Sequence, residues 1–250
     1  MDPVTIVALV AFGSLVAAYG TVIGAGGGFV LIPGLVLLFD LDGVEAVGTG
    51  ALTLAAIGIG GARTYDRAGL VDRPAAGRFV IGSIPAAFLC GTFLAGRIDS
   101  EVLVDLLGVL LVILAVFVVT MPTDYDTSGG ARPGSLTMMP VGGVVVGFLG
   151  GTFAIGGGLV TLPFVGRLRR LAPHRAAATT AATAMASSIA SSAGHSIAGN
   201  VRWGHVLVLV PSALIGSTLG ATHAGRLHPR TVLALVAGGL LAAGVPLLLR

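Results

Sequence analysis

Residues 23–33 read IGAGGGFVLIP and residues 153–163 read FAIGGGLVTLP, so one pattern occurs twice in this chain, 130 positions apart. In each copy three consecutive glycines lie five residues before a proline, Pro33 or Pro163. Consecutive glycines permit an unwound turn, and the first amides of the following helix can then bind an anion at the positive end of the helix dipole. The alternative is that these small residues only allow close helix packing. We predict two anion-binding tips whose ligands are Gly26, Gly27, Gly28, Gly156, Gly157 and Gly158.

The composition around these tips is that of an integral membrane protein. Hydrophobic residues make up 55% of the 250 residues and charged residues 10%, whereas about 25% charged residues is typical of a soluble domain. So few charges cannot cover a soluble surface of this size. The 14 basic residues are all arginines that lie between apolar segments, which indicates membrane-flanking loops and no nucleic-acid partner. With one cysteine, Cys90, the chain offers no disulfide or thiolate cluster, and we expect no cofactor and no metal.

Ten apolar runs divide the chain into two similar halves. The runs cover residues 4–23, 29–39, 44–61, 75–95, 102–121, 138–153, 159–165, 176–198, 206–224 and 231–249. Two of them, 29–39 and 159–165, span only about 17 and 11 Å of a hydrocarbon core near 30 Å. The spacing of 130 also relates Thr49 to Thr179, Thr53 to Thr183 and Tyr65 to His195. We predict a first membrane repeat at 1–121, a polar linker loop at 122–137 and a second repeat at 138–250.

The arginines indicate how the two repeats are oriented. If each long run and the short run after it formed one broken helix, the arginines would divide seven against seven between the two faces, contrary to the positive-inside rule. If each such pair is a hairpin, eleven arginines share one face and three lie opposite. We therefore predict an all-α polytopic membrane protein with two inverted repeats, each a glycine-broken helical hairpin plus three transmembrane helices, with both termini outside. The sequence leaves open whether segments 29–39 and 159–165 are re-entrant or complete a hairpin across the bilayer.

A stripe of polar residues runs along the segment 176–198. It recurs at every fourth position, at Thr179, Thr183, Ser187, Ser191 and His195. In the first repeat only the ends of the corresponding stripe are polar, at Thr49, Thr53 and Tyr65. Hydroxyls at this spacing can line a path for an anion, but they can also bond to helix carbonyls or neighbouring helices. We predict further substrate ligands at Thr49, Thr53, Thr179, Thr183 and His195.

These motifs resemble a known family. Two copies of a Gly-Gly-Gly-x4-Pro segment, each followed by a threonine-rich helix, are similar to the TauE/SafE family of sulfite exporters and related permeases, and so is the run His195-x3-Gly199-x3-Trp203. The resemblance covers essentially the whole chain. It implies a multi-pass plasma-membrane protein that moves sulfur-containing anions, such as sulfite or organosulfonates, usually outward.

The predicted function is therefore that of a permease or exporter for a small sulfur-containing anion, with the lipid bilayer as its surroundings. The alternatives are a transporter of another small anion and a non-transporting membrane assembly subunit, because glycine-rich helices also mediate helix association. An enzyme is not expected, since the apolar runs lack paired carboxylates, a metal-binding set and a serine with an evident base. The anion, the direction of transport, the coupling ion and the oligomeric state, a homo-oligomer included, stay open from sequence.

Overall fold

The computed structural model describes residues 1–24, 26–120, 134–223 and 229–250, and the regular structure within them is entirely helical. Most of the predicted linker at 122–137 lies outside these residues. The helices are α1 (Pro3–Val22), α2 (Gly28–Phe39), α3 (Gly43–Arg67), α4 (Arg73–Leu89), α5 (Ser100–Val119), α6 (Ser135–Phe153), α7 (Gly158–Arg169), α8 (Pro173–Ile197), α9 (Trp203–His223) and α10 (Pro229–Leu249). A π-helical turn, Cys90–Leu94, and a 3-10 turn, Ala95–Arg97, continue α4.

Seven helices within the described residues are long and apolar enough to cross a membrane: α1, α3, α4 with its continuation, α5, α6, α9 and α10. The predicted all-α polytopic membrane fold is thus confirmed. The short helices α2 and α7 have 12 residues each, so at 1.5 Å per residue they extend about 18 Å and cannot cross alone.

Helices α3 and α8 form the centre of the molecule. They pack against each other, and α3 also packs on α9 while α8 packs on α4. The exposed large apolar side chains of the described residues lie mainly on the outer helices, such as Leu15 of α1, Ile113 of α5 and Leu207 of α9. Shielding from lipid by these outer helices explains how α8 can carry so many serines and threonines, because their polar groups bond within the protein.

The helix pairs that pack together correspond between the two halves of the chain. If each of the helices α1–α5 is exchanged with its counterpart in α6–α10, the list of the most closely packed pairs stays the same. The most extensive contacts join α4 to α6, α1 to α9, α3 to α8 and α5 to α10. Under the exchange the α1–α9 pair becomes the α6–α4 pair, whereas the α3–α8 and α5–α10 pairs map onto themselves. Corresponding helices of the two halves therefore have corresponding neighbours.

Left-handed backbone conformations recur at the same spacing of 130 residues. The pairs with positive φ are Gly24 and Ala154, Gly26 and Gly156, Gly27 and Gly157, Asp40 and Arg170, and Gly69 and Gly199. At Ala154 an L-residue adopts φ 47°, where its counterpart Gly24 has φ 72°. The chain thus keeps this backbone turn even where a Cβ makes it costly.

Many of the remaining glycines serve helix packing. A Cβ on Gly143 or Gly147 of α6 would overlap the backbone of α4, and one on Gly216 or Gly220 of α9 would overlap the backbone of α1. Small residues at these crossings let the two backbones approach closely, as in other membrane helix pairs. Close packing is therefore the role of these glycines, in contrast to those at the two helix breaks.

Candidate anion site

The two glycine tips have the same backbone geometry. Gly27 and Gly157 are left-handed N-caps, with φ 80° before α2 and φ 62° before α7. The Gly27 carbonyl accepts from the amides of Val30 and Leu31 at 3.1 and 2.9 Å, and the Gly157 carbonyl accepts from the corresponding two amides of α7 at 3.2 and 2.9 Å. Each tip therefore begins a helix whose first amides are orphan donors at the positive end of the dipole.

The tips lie against each other in the interior. A Cβ placed on Gly28 would overlap the carbonyl oxygen of Ala154, so only glycine fits at that contact. A Cβ placed on Gly26 would lie 3.9 Å from Cα of Gly156, an ordinary van der Waals distance. The two helix breaks, 130 residues apart in sequence, thus meet at one point.

A cavity of about 40 Å³ lies at this meeting point. Its walls come from the tips and the end of α1, from α3 and from α8: Gly20, Thr21, Gly24, Gly26, Leu54, Ile57, Gly58, Gly61, Tyr65, Gly156, Gly158, Ala181, Ala184 and Ser188. One water needs about 10–15 Å³ on this scale, so the cavity has room for a few waters or a small anion. Among the described residues no arginine, histidine or carboxylate lines it.

Three of the predicted tip glycines, Gly26, Gly156 and Gly158, line the cavity together with Gly24, and a fourth, Gly28, contacts Ala154 of the other tip. Gly27 and Gly157 instead turn towards the helix that precedes each tip. A Cβ on Gly27 would lie 2.9 Å from the carbonyl oxygen of Val16, and a Cβ on Gly157 would overlap Val146. In the structure both residues form the left-handed turn that precedes the helix.

The predicted threonines Thr49 and Thr179 join the two repeats. The hydroxyl of Thr49, on α3, accepts a hydrogen bond of 3.0 Å from the backbone amide of Arg202, just before α9. The hydroxyl of Thr179, on α8, accepts one of 2.9 Å from the amide of Asp72, just before α4. Because 49 and 179, like 72 and 202, differ by 130, the two bonds are equivalents of each other. Neither side chain lines the cavity, and both are fully buried.

The other two predicted threonines bond within their own helices. Thr53 donates to the Thr49 carbonyl at 3.0 Å, and Thr183 donates to the Thr180 carbonyl at 2.9 Å. Both are buried away from the cavity. These bonds are the back-bonding pattern common to hydroxyls in membrane helices.

The predicted ligand His195 holds the broken end of α6. Its Nε2 lies 2.9 Å from the carbonyl oxygen of Gly151, and its Nδ1 lies 3.4 Å from Nδ2 of Asn200. A neutral imidazole with its proton on Nε2 satisfies both contacts. Ser191, one turn earlier, donates to the carbonyl of Gly150 at 3.2 Å. The Gly151 carbonyl lies in the last turn of α6, where intrahelical donors run out, so His195 supplies its partner. Ser191 adds a second bond to the Gly150 carbonyl, which also accepts from the Ala154 amide at 3.1 Å.

Three hydroxyl-bearing residues of the cavity wall, Thr21, Tyr65 and Ser188, are not among the ligands that the sequence predicts. Ser188 directly follows Ser187, but it is not part of the polar stripe, which contains only every fourth residue. Tyr65 was recognised only as the counterpart of His195. A helical wheel of α8 aligned with the small residues Ala181 and Ala184 would have pointed to Ser188, because residues three and four apart share a face.

Comparisons with known proteins agree with the membrane architecture. The family model described as "Sulfite exporter TauE/SafE" matches residues 9–247. The chain is 28% identical to the probable membrane transporter protein YunE of Bacillus subtilis over 97% of each chain. It is 30% identical to a probable membrane transporter protein of Haemophilus influenzae over 61% of this chain and 60% of the relative. The probable membrane transporter protein MJ0441 of Methanocaldococcus jannaschii is also 30% identical, over 63% of this chain and 60% of its own. No solved structure matches.

Proposed function

The chain belongs to the TauE/SafE family of sulfite exporters, which are multi-pass membrane transporters, and from this premise we propose that it carries a small sulfur-containing anion, such as sulfite or an organosulfonate, across the plasma membrane. The observation that carries the proposal is the cavity between the two glycine tips. Two helix N-termini converge there, and each contributes about half a positive charge and free amides. An anion in the cavity would thus be held without a cationic side chain.

We propose that the tip glycines, Gly26, Gly27, Gly28, Gly156, Gly157 and Gly158, form the backbone part of this site. The four threonines and His195 stay in the proposal only as ligands that would have to exchange their present protein partners during transport. Every one of these five side chains has such a partner in this structure, as described above.

The proposal includes an inverted arrangement of the two repeats, which the helix directions support. Arg202, just before α9, bonds to Glu45 and Thr49 near the beginning of α3. Since α9 begins where α8 ends, the end of α8 lies beside the beginning of α3, and the two central helices run antiparallel. The bond between Asp72 and Thr179 supports the same conclusion at the opposite face.

The first helix of each hairpin, α1 or α6, runs parallel to a helix of the other half. Gly216 and Gly220 of α9 lie against Ser14 and Ala18 of α1, so α1 runs parallel to α9 and begins at the same face. Gly143 and Gly147 of α6 lie in the same way against α4, which begins at the other face. The tips would then approach the middle of the membrane from opposite sides, as in secondary transporters built from inverted repeats.

A flux assay on the purified protein in proteoliposomes tests the function. Sulfite, sulfoacetate and sulfate are offered separately, and we expect uptake of at least one above that of empty liposomes. Transport of a different small anion alone would replace the sulfur assignment. A well-folded protein that moves none of them would favour the assembly-subunit alternative.

A matched pair of glycine variants tests the site within the same assay. Gly26→Ala and Gly69→Ala each place a methyl group on a left-handed residue, with φ 86° and 67°. Gly26 lines the cavity, whereas a Cβ on Gly69 meets nothing within 4 Å. We expect similar losses of stability in both, of about 1–2 kcal/mol, but a loss of transport only in Gly26→Ala. Equal transport by the two variants would contradict the tip site.

A further inference from the structure

The serines of α8 differ in what their hydroxyls contact. Ser187 donates to the Thr183 carbonyl at 3.0 Å, Ser191 to the Gly150 carbonyl at 3.2 Å and Ser192 to the Ile189 carbonyl at 2.8 Å. Ser188 is only 8% exposed, lines the cavity and has no hydrogen-bond partner among the described residues. Its hydroxyl thus belongs to a largely buried residue on the wall of the cavity, and no protein group of the described residues bonds to it.

A second such group lines the same cavity from the other central helix. Tyr65, near the end of α3, is partly buried, and its hydroxyl has no partner within the described part of the chain. It occupies the position that corresponds to His195, whose ring is bonded on both nitrogens. The two unpartnered hydroxyls come from the two helices, α8 and α3, that form the centre of the protein.

A hydroxyl on the wall of an interior cavity is costly if it has no partner, and in a membrane interior water compensates less readily than in a soluble core. The cost is recovered if a ligand accepts the hydrogen bond. From this we propose that Ser188 and Tyr65 are the side-chain ligands of the transported anion, each donating a hydrogen bond to one of its oxygens. The inference rests on the proposed transport function and adds the side chains to the backbone site.

The composition of the cavity wall also defines the class of ligand. The donors are neutral, since the described lining residues include no arginine or histidine, and Leu54, Ile57, Ala181 and Ala184 make much of the wall apolar. The Born cost of removing an ion from water rises with the square of its charge, and a second negative charge would find no cation here. The site therefore suits a singly charged oxyanion, such as an alkylsulfonate or hydrogen sulfite, better than sulfate.

The test compares three single variants with the wild-type protein in proteoliposomes, with methanesulfonate as the probe. Ser188→Ala and Tyr65→Phe remove the proposed donors, and Ser187→Ala is the matched control because its hydroxyl bonds to its own helix. We expect the apparent KM for methanesulfonate to rise about tenfold or more in Ser188→Ala and in Tyr65→Phe, as for a lost hydrogen bond to a charged partner. Ser187→Ala should stay within about twofold of wild type, and Ser188→Thr, which keeps the hydroxyl, should retain most of the affinity.

Distinct results overturn distinct statements. If Ser188→Ala transports methanesulfonate with the KM of Ser187→Ala, the assignment of Ser188 is wrong while the transport function stands. If wild-type protein transports sulfate with the same efficiency as methanesulfonate, the restriction to singly charged anions is wrong. If the wild-type protein transports no anion at all, the proposed function fails, and the inference fails with it.

Discussion

The two helix breaks have the same backbone conformation but differ in the side chains that lie beside them. In the second half, Ser191 and His195 bond to the last carbonyls of α6 and fill the space behind the break. In the first half the corresponding positions are Gly61 and Tyr65, and the cavity lies there, against the end of α1. Both tips line the cavity, but side chains bond to the carbonyls behind the second break, whereas the space behind the first break belongs to the cavity.

The difference shows that two halves with the same backbone break can carry different side chains beside it. Both halves need the unwound turn, so both retain the glycines and the left-handed conformations. If polar side chains bonded to the helix carbonyls behind both breaks, as they do in the second half, no space would be left for a ligand behind the first break. The position that corresponds to Ser191 is Gly61, which lines the cavity and puts no side chain into it.

The two ends of the central helix pair also differ. Asp72 and Arg202 occupy equivalent positions, and the backbone amide of each bonds to a threonine of the other repeat. The Asp72 carboxylate pairs with Arg169 at 2.9 Å, and their side chains are 6% and 17% exposed. The Arg202 guanidinium pairs with Glu45 at 2.6 Å, and theirs are 57% and 31% exposed. The same backbone contact is therefore reinforced by a buried ion pair at one face and by an exposed pair at the other.

The largest effect is expected from a test of topology, because it is all or none. In a Cys90→Ala background, a cysteine at Asp42, between α2 and α3, should react with an impermeant thiol reagent added outside cells. A cysteine at Ala68, between α3 and α4, should not react until the membrane is opened. Both positions are exposed in the structure. Labelling of both cysteines from outside would contradict the inverted arrangement. The hairpins α1–α2 and α6–α7 could then not enter the membrane from opposite faces.

The next effect concerns the ion pairs. Asp72→Asn keeps an oxygen to cap α4 but leaves the Arg169 charge without its partner, and we expect a loss of about 3 kcal/mol in the free energy of unfolding. Arg202→Ala removes the exposed pair and should cost less than about 1 kcal/mol. Denaturation in detergent micelles, with both variants under one set of conditions, measures the difference. Equal losses would mean that burial does not distinguish the two ends.

An exchange of the residues behind the two breaks should change transport by about tenfold. The atom nearest to a Cβ on Gly61 is Cγ2 of Thr21 at 3.9 Å, so Gly61→Ser fits the fold and takes up space in the cavity. We expect its anion flux to fall about tenfold, because the added side chain occupies space that the anion needs and displaces it from one of its hydrogen-bond donors. Its stability should be unchanged or higher, because serine favours a helix more than glycine does.

The reciprocal variant, Ser191→Gly, serves as the control. It removes the bond to the Gly150 carbonyl and should lower stability while the affinity for the anion stays the same. Normal flux through a well-folded Gly61→Ser protein would show that the cavity behind the first break is not the route of the anion.

The smallest effects are expected at the threonines that join the repeats. Thr49→Val and Thr179→Val remove the acceptors for the buried amides of Arg202 and Asp72, and each should cost about 1 kcal/mol of stability. Thr→Ser at the same positions keeps the hydroxyl and should cost less. The apparent affinity for the anion, measured on the same variants, decides their predicted role as ligands. A tenfold loss in the valine variants would confirm that role, and an unchanged affinity would contradict it.

Much of the fold could be predicted from sequence because its signals are local. A run such as 102–121 is apolar throughout and too long for anything but a crossing, and it appears as α5, Ser100–Val119. The triple glycines predict the breaks, and α2 and α7 begin at Gly28 and Gly158. The apolar run predicted at 138–153 begins later than α6, which begins at Ser135. The first turn of this helix contains polar residues, and a search for apolar runs does not include them.

The polar residues show where such reasoning ends. Ser187, Ser188 and Ser191 lie within five positions and have the same chemistry, yet one bonds to its own helix, one lines the cavity and one bonds to Gly150 of α6. A periodicity of four selects a face of α8, but it cannot say which neighbour that face meets. Two of the four predicted threonines, Thr49 and Thr179, bond to residues more than a hundred positions away in the sequence.

By itself, then, the sequence determined that this chain is a helical membrane protein with two glycine-broken repeats, because hydrophobicity, helix length and glycine flexibility act over a few residues at a time. Only the tertiary structure decided which hydroxyls remain free for a ligand. A hydrogen bond acts over about 3 Å, and at that range the partner of Ser191 or Thr49 is set by the packing of helices that are remote in sequence. For Ser188 the same packing leaves the cavity where a partner would otherwise lie.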